Sequence, residues 1–313
     1  MKRIVMFGIW IGIFTAQQST AETNTVFNFL RNDVSPRAAA LAGSFVTITN
    51  DPNSIFYNPA ALSTLETPMG SLGFFKHLLD INSGYASYSQ SYEDLGYFGA
   101  GILYTNYGSF DETDDLGNTL GTFSASEFAF TLGYSNLFEE SLHYGVNVKF
   151  IYSSIAGYKS TGLAGDIGLL YGIPDTKVTV GASIRNLGAQ LSSYISTKES
   201  LPLDFVVGAS LVPRGLPLLL NVNFHKLNED QDKFGDRFKA FTVGGEFTLS
   251  KVLQARVGFD NEKRKDLRIG ATSGLAGFSG GIGITASEYK IDYSLSSLGS
   301  IGSLHRISIG TSF

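Results

Sequence analysis

SLHYGVNVKFIYSS, residues 141–154, carries two unlike surfaces on one extended segment. Leu142, Tyr144, Val146, Val148, Phe150 and Tyr152 fall on one face at a period of two, and His143, Gly145, Asn147 and Lys149 fall on the other. The same division recurs in EFAFTLGYSN (127–136), where Phe128, Phe130, Leu132 and Tyr134 oppose Ala129, Thr131, Gly133 and Ser135. In KVTVGASIRN (177–186), Val178, Val180, Ala182 and Ile184 oppose Thr179, Gly181, Ser183 and Arg185. HRISIGTSF (305–313) sets Ile307, Ile309 and Phe313 against Arg306, Ser308, Gly310 and Ser312.

Alternation alone also fits a soluble sandwich, which buries its large apolar side chains and exposes charge on strands of roughly 5 to 6 residues. The runs here are longer, in keeping with the ~9–11 residues a tilted strand needs to cross a bilayer. One face is Tyr, Phe and Leu, and the other is Gly, Ser and Asn, the pattern of lipid outside and a crowded interior. Strands are predicted at 69–75, 82–91, 96–106, 127–136, 141–153, 162–173, 176–186, 203–212, 217–225, 238–249, 252–260, 277–285, 288–296 and 304–313. Connections after even-numbered strands are four residues or fewer, and those after odd-numbered strands are longer, notably 107–126, 187–202, 226–237 and 261–276. DLRIGAT, 266–272, is left in a loop because a strand there would break the alternation. The expectation is an all-β, 14-stranded antiparallel transmembrane barrel over 69–313, with short turns and both termini in the periplasm of a Gram-negative outer membrane.

Composition agrees. The chain has 313 residues, 36 Gly, 24 Phe, 15 Tyr, no Cys, 16% charged residues and a net charge of −5 without a basic tract. These exclude disulfides and thiolate chemistry and give no support for nucleic-acid binding. MKRIVMFGIWIGIFTAQQSTA has Lys2 and Arg3, an apolar run from Ile4 to Phe14, and Ser19 and Ala21 at small-x-small spacing. It reads as an export signal over 1–21; the competing membrane anchor needs ~20 apolar residues.

Residues 22–68 precede the first strand and include NDPNSIFYNPAAL, 50–62. This segment is stiffened by Pro52 and Pro59 and is too apolar for an ordinary solvated loop. A barrel of this strand number encloses more space than wall side chains fill, so 22–68 is expected as a hatch or plug in the lumen. Its candidate residues are Pro36, Arg37, Asn50, Asp51, Pro52, Phe56, Asn58, Pro59 and Ala60, with Asn50, Asp51 and Asn58 hydrogen-bonding the inner wall. Charge gathers in the long loops: Asp111, Glu112, Asp114 and Asp115; Glu229, Asp230, Asp232, Lys233, Asp236 and Arg237; Glu262, Lys263, Arg264, Lys265 and Asp266. These are candidate partner-binding surfaces, against the plainer reading of solvated loops facing lipopolysaccharide.

His77, His143, His225 and His305 are scattered, and none has metal-ligand spacing. A Ser–His pairing in three dimensions stays open, but no catalytic residue is assigned and the chain is not read as an enzyme. NEDQDKFGD, 228–236, lacks the order of a calcium loop and its terminal Glu, so no metal or cofactor is expected. Phe313, a terminal aromatic on an alternating strand, reads as a barrel-assembly signal as well as membrane-facing packing.

FNFLRNDVSPRAAALAGSFV (27–46) followed by NDPNSIFYNPAAL resembles the PorV/PorQ family of outer-membrane barrels, similar in fold to the FadL transporters. Asn58-Pro59-Ala60 matches the asparagine-proline-alanine box of the FadL-type hatch, and YKSTGLAGDIGLLYG (158–172), SIRNLGAQL (183–191), LPLDFVVGASL (201–211) and GLAGFSGGIGI (274–284) extend the match. LPLLLNVNFHKLNE (216–229) looks more like the PorQ branch. The resemblance implies a part in type IX protein secretion: a surface anchor for a PorZ-like partner, or a carrier of cargo with C-terminal signal domains. The family often has Ala-Leu-Gly-Gly where this chain has Ala40-Leu41-Ala42-Gly43, which weakens any need for positive φ at Ala42. The alternative is FadL-like transport of a hydrophobic small molecule, with Phe56, Tyr57 and Leu62 lining a pocket.

Overall fold

The computed structural model describes residues 25–229, 233–267 and 274–313. The expected signal peptide at 1–21, the start of the plug at 22–24, Asp230 and Asp232 lie outside the described residues. Alternating side chains build β1 (Met69–Lys76), β2 (Asn82–Tyr92), β3 (Gly96–Thr113), β4 (Thr119–Glu139), β5 (Leu142–Ile155), β6 (Tyr158–Gly172) and β7 (Val178–Ser192). They continue through β8 (Asp204–Leu211), β9 (Leu218–Phe224), β10 (Phe241–Thr248), β11 (Leu253–Asp260), β12 (Phe278–Ala286), β13 (Tyr289–Ser297) and β14 (Ser303–Ser312). Every neighbour is antiparallel, and β1 pairs with β14 from Met69↔Ser312 to Lys76↔His305, closing the barrel.

The two faces separate as the alternation predicts. On β5, Val148 is 59% exposed and Lys149 only 5%. Leu72, Leu132, Ile307 and Ile309 join Val148 in an apolar outer belt, which is stable only against lipid. Closure leaves no edge strand to expose unpaired backbone there.

Several connections differ from expectation. The stretch 107–126 is mostly strand, because β3 and β4 keep pairing past the belt from Ser109↔Ser124 to Thr113↔Thr119. A bulge between Asn106 and Ser109, with Gly108 at φ 83°, bends this extension. The β5–β6 connection is only 156–157, and the turns at 173–177 and 212–217 are longer than the predicted 174–175 and 213–216. Part of 226–237 is helical (Phe234–Lys239), and 261–276 opens with α2 (Asn261–Asp266), its N-terminus capped by Asp260; residues 268–273 lie outside the described residues.

Residues 25–68 lie inside the wall. Helix α1 (Pro36–Ala40) packs on β11–β14, the 3-10 turn Pro52–Phe56 on β1–β3, and the 3-10 turn Pro59–Thr64 on β3–β6. A segment that touches the wall on all these sides occupies the lumen, and Ala38–Leu41, Ile55 and Ala60–Leu62 are fully buried there.

Candidate functional site

Two sets of residues inside the barrel stand apart from wall packing: the contacts that hold 25–68 in place, and a pocket at the end where the long connections gather, called here the loop end. Three turns of the inner segment, those beginning at Pro36, Pro52 and Pro59, start with a proline preceded by a capping side chain. Ser35 Oγ accepts from Ala38 N, Asp51 Oδ1 from Asn53 N, and Asn58 Oδ1 from Ala60 N. This is the physical content of the Asn58-Pro59-Ala60 box: the cap leaves Asn58 Nδ2 free to donate to Val46 O (2.8 Å) and to the wall at Leu169 O (3.1 Å).

Asn58 is thus the one of the three expected residues that bonds the wall directly. Asn50 serves the segment itself, its backbone N donating to Thr64 Oγ1 and its Oδ1 accepting from Glu66 N. Asp51 acts through Arg37, which donates to Asp51 Oδ2 at 3.0 Å and grips Glu246 on β10 with two bonds, Nε to Oε2 (2.8 Å) and Nη2 to Oε1 (2.7 Å). Glu246 also accepts from Arg256 Nε at 2.6 Å, and Arg256 Nη1 reaches Asp292 at 2.5 Å. The Arg256 side chain has no exposure, so its charge is stable only because two carboxylates face it. Glu246, Arg256 and Asp292 escaped sequence reading; their signal was a lone charge on the inward phase of a membrane strand.

Pro36 sits at N1 of α1, and Phe56 lies edge-on to Tyr85 at 6.0 Å. Ala42 has φ 53° and Gly43 φ 78°, with Gly43 N donating to Ala38 O at 2.9 Å. Positive φ is therefore required at Ala42, contrary to the inference from the Ala-Leu-Ala-Gly departure, because the chain must reverse after one turn of helix.

The charged loop residues divide. Asp111 lies on the exposed β3 extension, Asp114 caps the hairpin tip by accepting from Leu116 N, Asn118 N and Asn118 Nδ2, and Asp115 is exposed beside it. Glu229 instead accepts from Arg31, and Lys263 pairs with Asp33 (3.1 Å) and Asp260 (3.3 Å), so these two face the inner segment. Burial by itself would raise the Asp33 carboxyl, but Lys263 and Arg306 outweigh it and hold Asp33 below the ordinary carboxylate range. Arg237 belongs to the 3-10 turn Phe234–Lys239, and Arg264 lies 5.7 Å over the Phe278 ring. Phe313 is 71% exposed on the belt, edge-on to Tyr88, with its N donating to Pro68 O. Ser63 Oγ lies 2.8 Å from His143 Nδ1 but also donates to Ala60 O, and no carboxylate bonds His143 among the described residues.

At the loop end, the β3–β4 extension and the start of the inner segment flank an open recess of about 500 Å³. Phe110 and Phe123, stacked across the hairpin at 5.3 Å, face Val26 and Phe27, with Ile155 and Tyr194 closing the sides. The bulge at Asn106/Ser109 sets the phase that turns Phe110 inward beside Phe123. Glu127, buried at the base, accepts from Tyr107 Oη. From here an apolar core runs through Phe29, Phe45 and Tyr57 to Ile55, Phe56 and Leu62, so the expected trio of Phe56, Tyr57 and Leu62 is packed core, away from the pocket.

No protein-family model and no curated protein sequence matches this chain. Among solved structures, the Ralstonia pickettii toluene transporter TbuX is similar over 92% of this chain and 100% of its own, with TM-score 0.63 and 14% identity. The CymD monoaromatic hydrocarbon channel is similar over 90% and 97%, with TM-score 0.61 and 14% identity. A Pseudomonas aeruginosa FadL homologue is similar over 90% and 98%, with TM-score 0.58 and 11% identity. TbuX is described as a transporter and CymD as a channel, and what this chain shares with all three is the fold: a closed 14-stranded barrel of FadL type.

Proposed function

We propose that this chain is an outer-membrane barrel, both termini periplasmic, that admits a hydrophobic small molecule at its external mouth. The observation that carries this reading is the aromatic pocket of about 500 Å³ between the β3–β4 extension and Val26–Phe27. Its volume and its apolar walls with a few placed polar groups suit a small ligand. The apolar core beneath offers a greasy path, and the similar structures described as toluene and monoaromatic channels support the same reading. Passage requires residues 36–64 to move, since they are packed shut at rest. The test is uptake of labelled toluene by cells carrying the wild type or the Phe110→Ala/Phe123→Ala variant. Uptake falls about tenfold in the variant, a loss of about 1.4 kcal/mol of pocket affinity; equal uptake by both overturns the reading.

A second reading follows the PorV/PorQ resemblance: a partner-binding component of type IX secretion, holding a PorZ-like protein or C-terminal-signal cargo. It is favoured by the exposed acids Asp111 and Asp115 on a hairpin that stands beyond the belt, and by a lumen closed with buried ion pairs. Affinity purification from gently solubilised membranes separates the two. Recovery of a large surface protein, lost on shortening 226–237, favours secretion, and a lone barrel carrying bound apolar ligand favours transport.

A further inference from the structure

One side of the mouth pocket is not apolar. Glu127 is 7% exposed and accepts from Tyr107 Oη; Tyr194 Oη donates to Ser153 Oγ at 2.5 Å, and Ser153 stands opposite Glu127 in the β4–β5 pair. Glu199 places a second carboxylate on the rim. Among the described residues that line the pocket there is no Lys, Arg or His.

That charge balance is the reverse of what an apolar carboxylate needs. In a recess only partly screened from water, an anion without a cation partner repels a second anion, and no cation on the described lining offsets it. A carboxylate has about four acceptor sites, of which the Tyr107 and Ser153 hydroxyls take two, so capacity remains for another donor. Tyr107 itself presents a phenol to Glu127, and a ligand carrying a hydroxyl repeats that contact from the pocket side.

We propose that the pocket selects apolar molecules whose single polar group donates a hydrogen bond, a hydroxyl or an ammonium, and rejects apolar carboxylates. This rests on the reading of the mouth pocket as the ligand entry site. Glu127 is then the specificity-determining residue, with Phe110 and Phe123 supplying affinity that does not depend on the head group.

The test is calorimetric titration of the folded barrel in micelles with toluene, p-cresol, benzylamine and benzoate, each referenced to protein-free micelles. We expect p-cresol and benzylamine to bind about tenfold or more tightly than benzoate, with toluene between. Glu127→Gln, checked for the wild-type heat-modifiable band, narrows the benzylamine-to-benzoate gap about tenfold and leaves toluene within about twofold. Benzylamine ahead of p-cresol assigns the ammonium arm, and the opposite order assigns the hydroxyl. Benzoate binding as tightly as the donors, or an unchanged order in Glu127→Gln while toluene still binds, overturns the selectivity and leaves the pocket standing. Absence of binding by every probe overturns the pocket reading together with the selectivity.

Discussion

Residues 36–43 meet β10–β14 through close glycine packing and buried charge together, whereas residues 52–64, which carry no charge, meet β1–β6 through shape and neutral hydrogen bonds. On the first side Arg37 bridges Asp51 and Glu246, and Glu246 shares Arg256 with Asp292. Both sides of the wall offer glycines: a Cβ at Gly258 would overlap Leu41 and Ala42, one at Gly145 would overlap Pro59 and Ala60, and one at Gly101 would lie 2.9 Å from the Phe56 ring. Charge tolerates small displacements and responds to pH and to substitution of one partner. Close packing against backbone does neither, because a missing side chain leaves no slack to give. If the segment moves to admit a ligand, the side held in part by ion pairs is the one that pH or a lost partner can loosen.

That contrast can be broken experimentally. Arg256→Ala strips the charge that two buried carboxylates require, and we expect a loss of about 3–5 kcal/mol, read from the urea midpoint of the micelle-folded barrel. A change below about 1 kcal/mol would mean that water already reaches Glu246 and Asp292. Gly145→Ala tests the shaped side and is expected to cost about 1–3 kcal/mol through overpacking, with the strain relieved by truncation of the 52–64 turns. Equal loss with and without that truncation would remove Pro59 and Ala60 as its cause.

Acid acts on the Asp33–Lys263 link between the inner segment and α2. Because Asp33 is held below the ordinary carboxylate value, its contribution is complete above about pH 3.9 and fades as pH falls through the lowered folded value. The urea midpoint should therefore drop between pH 5 and pH 2, and Asp33→Asn should drop by less; parallel curves would remove Asp33 as the source. The smallest effect is at Ala42, where φ is 53°. Ala42→Gly should stabilise by up to about 1 kcal/mol, seen as a rise in thermal midpoint, unless the lost methyl packing matches it.

The strand positions and their facing were legible because period-two alternation is written locally: Val146 and Asn147 differ in polarity whatever the rest of the chain does. The Asn58-Pro59-Ala60 cap was legible for the same reason, since donor and acceptor lie within two residues. The loop at 107–126 was misread because Gly108 and Ser109 break the alternation that a bulge restores one residue later. The pairing of Glu229 with Arg31 and of Lys263 with Asp33 was not legible, because charge in a loop looks alike whether it faces solvent or turns inward.

The sequence by itself determined the fourteen alternating strands, their lipid-facing belt and the presence of a stiff apolar segment ahead of them, all properties of neighbours in the chain. Only the tertiary structure decided that Arg37 meets Glu246 across 209 positions and that Val26 and Phe27 meet Phe110 and Phe123 around a pocket with a carboxylate at its base. Those contacts depend on where closure of the β1–β14 seam and the bulge in β3 bring side chains in space. No local period encodes that.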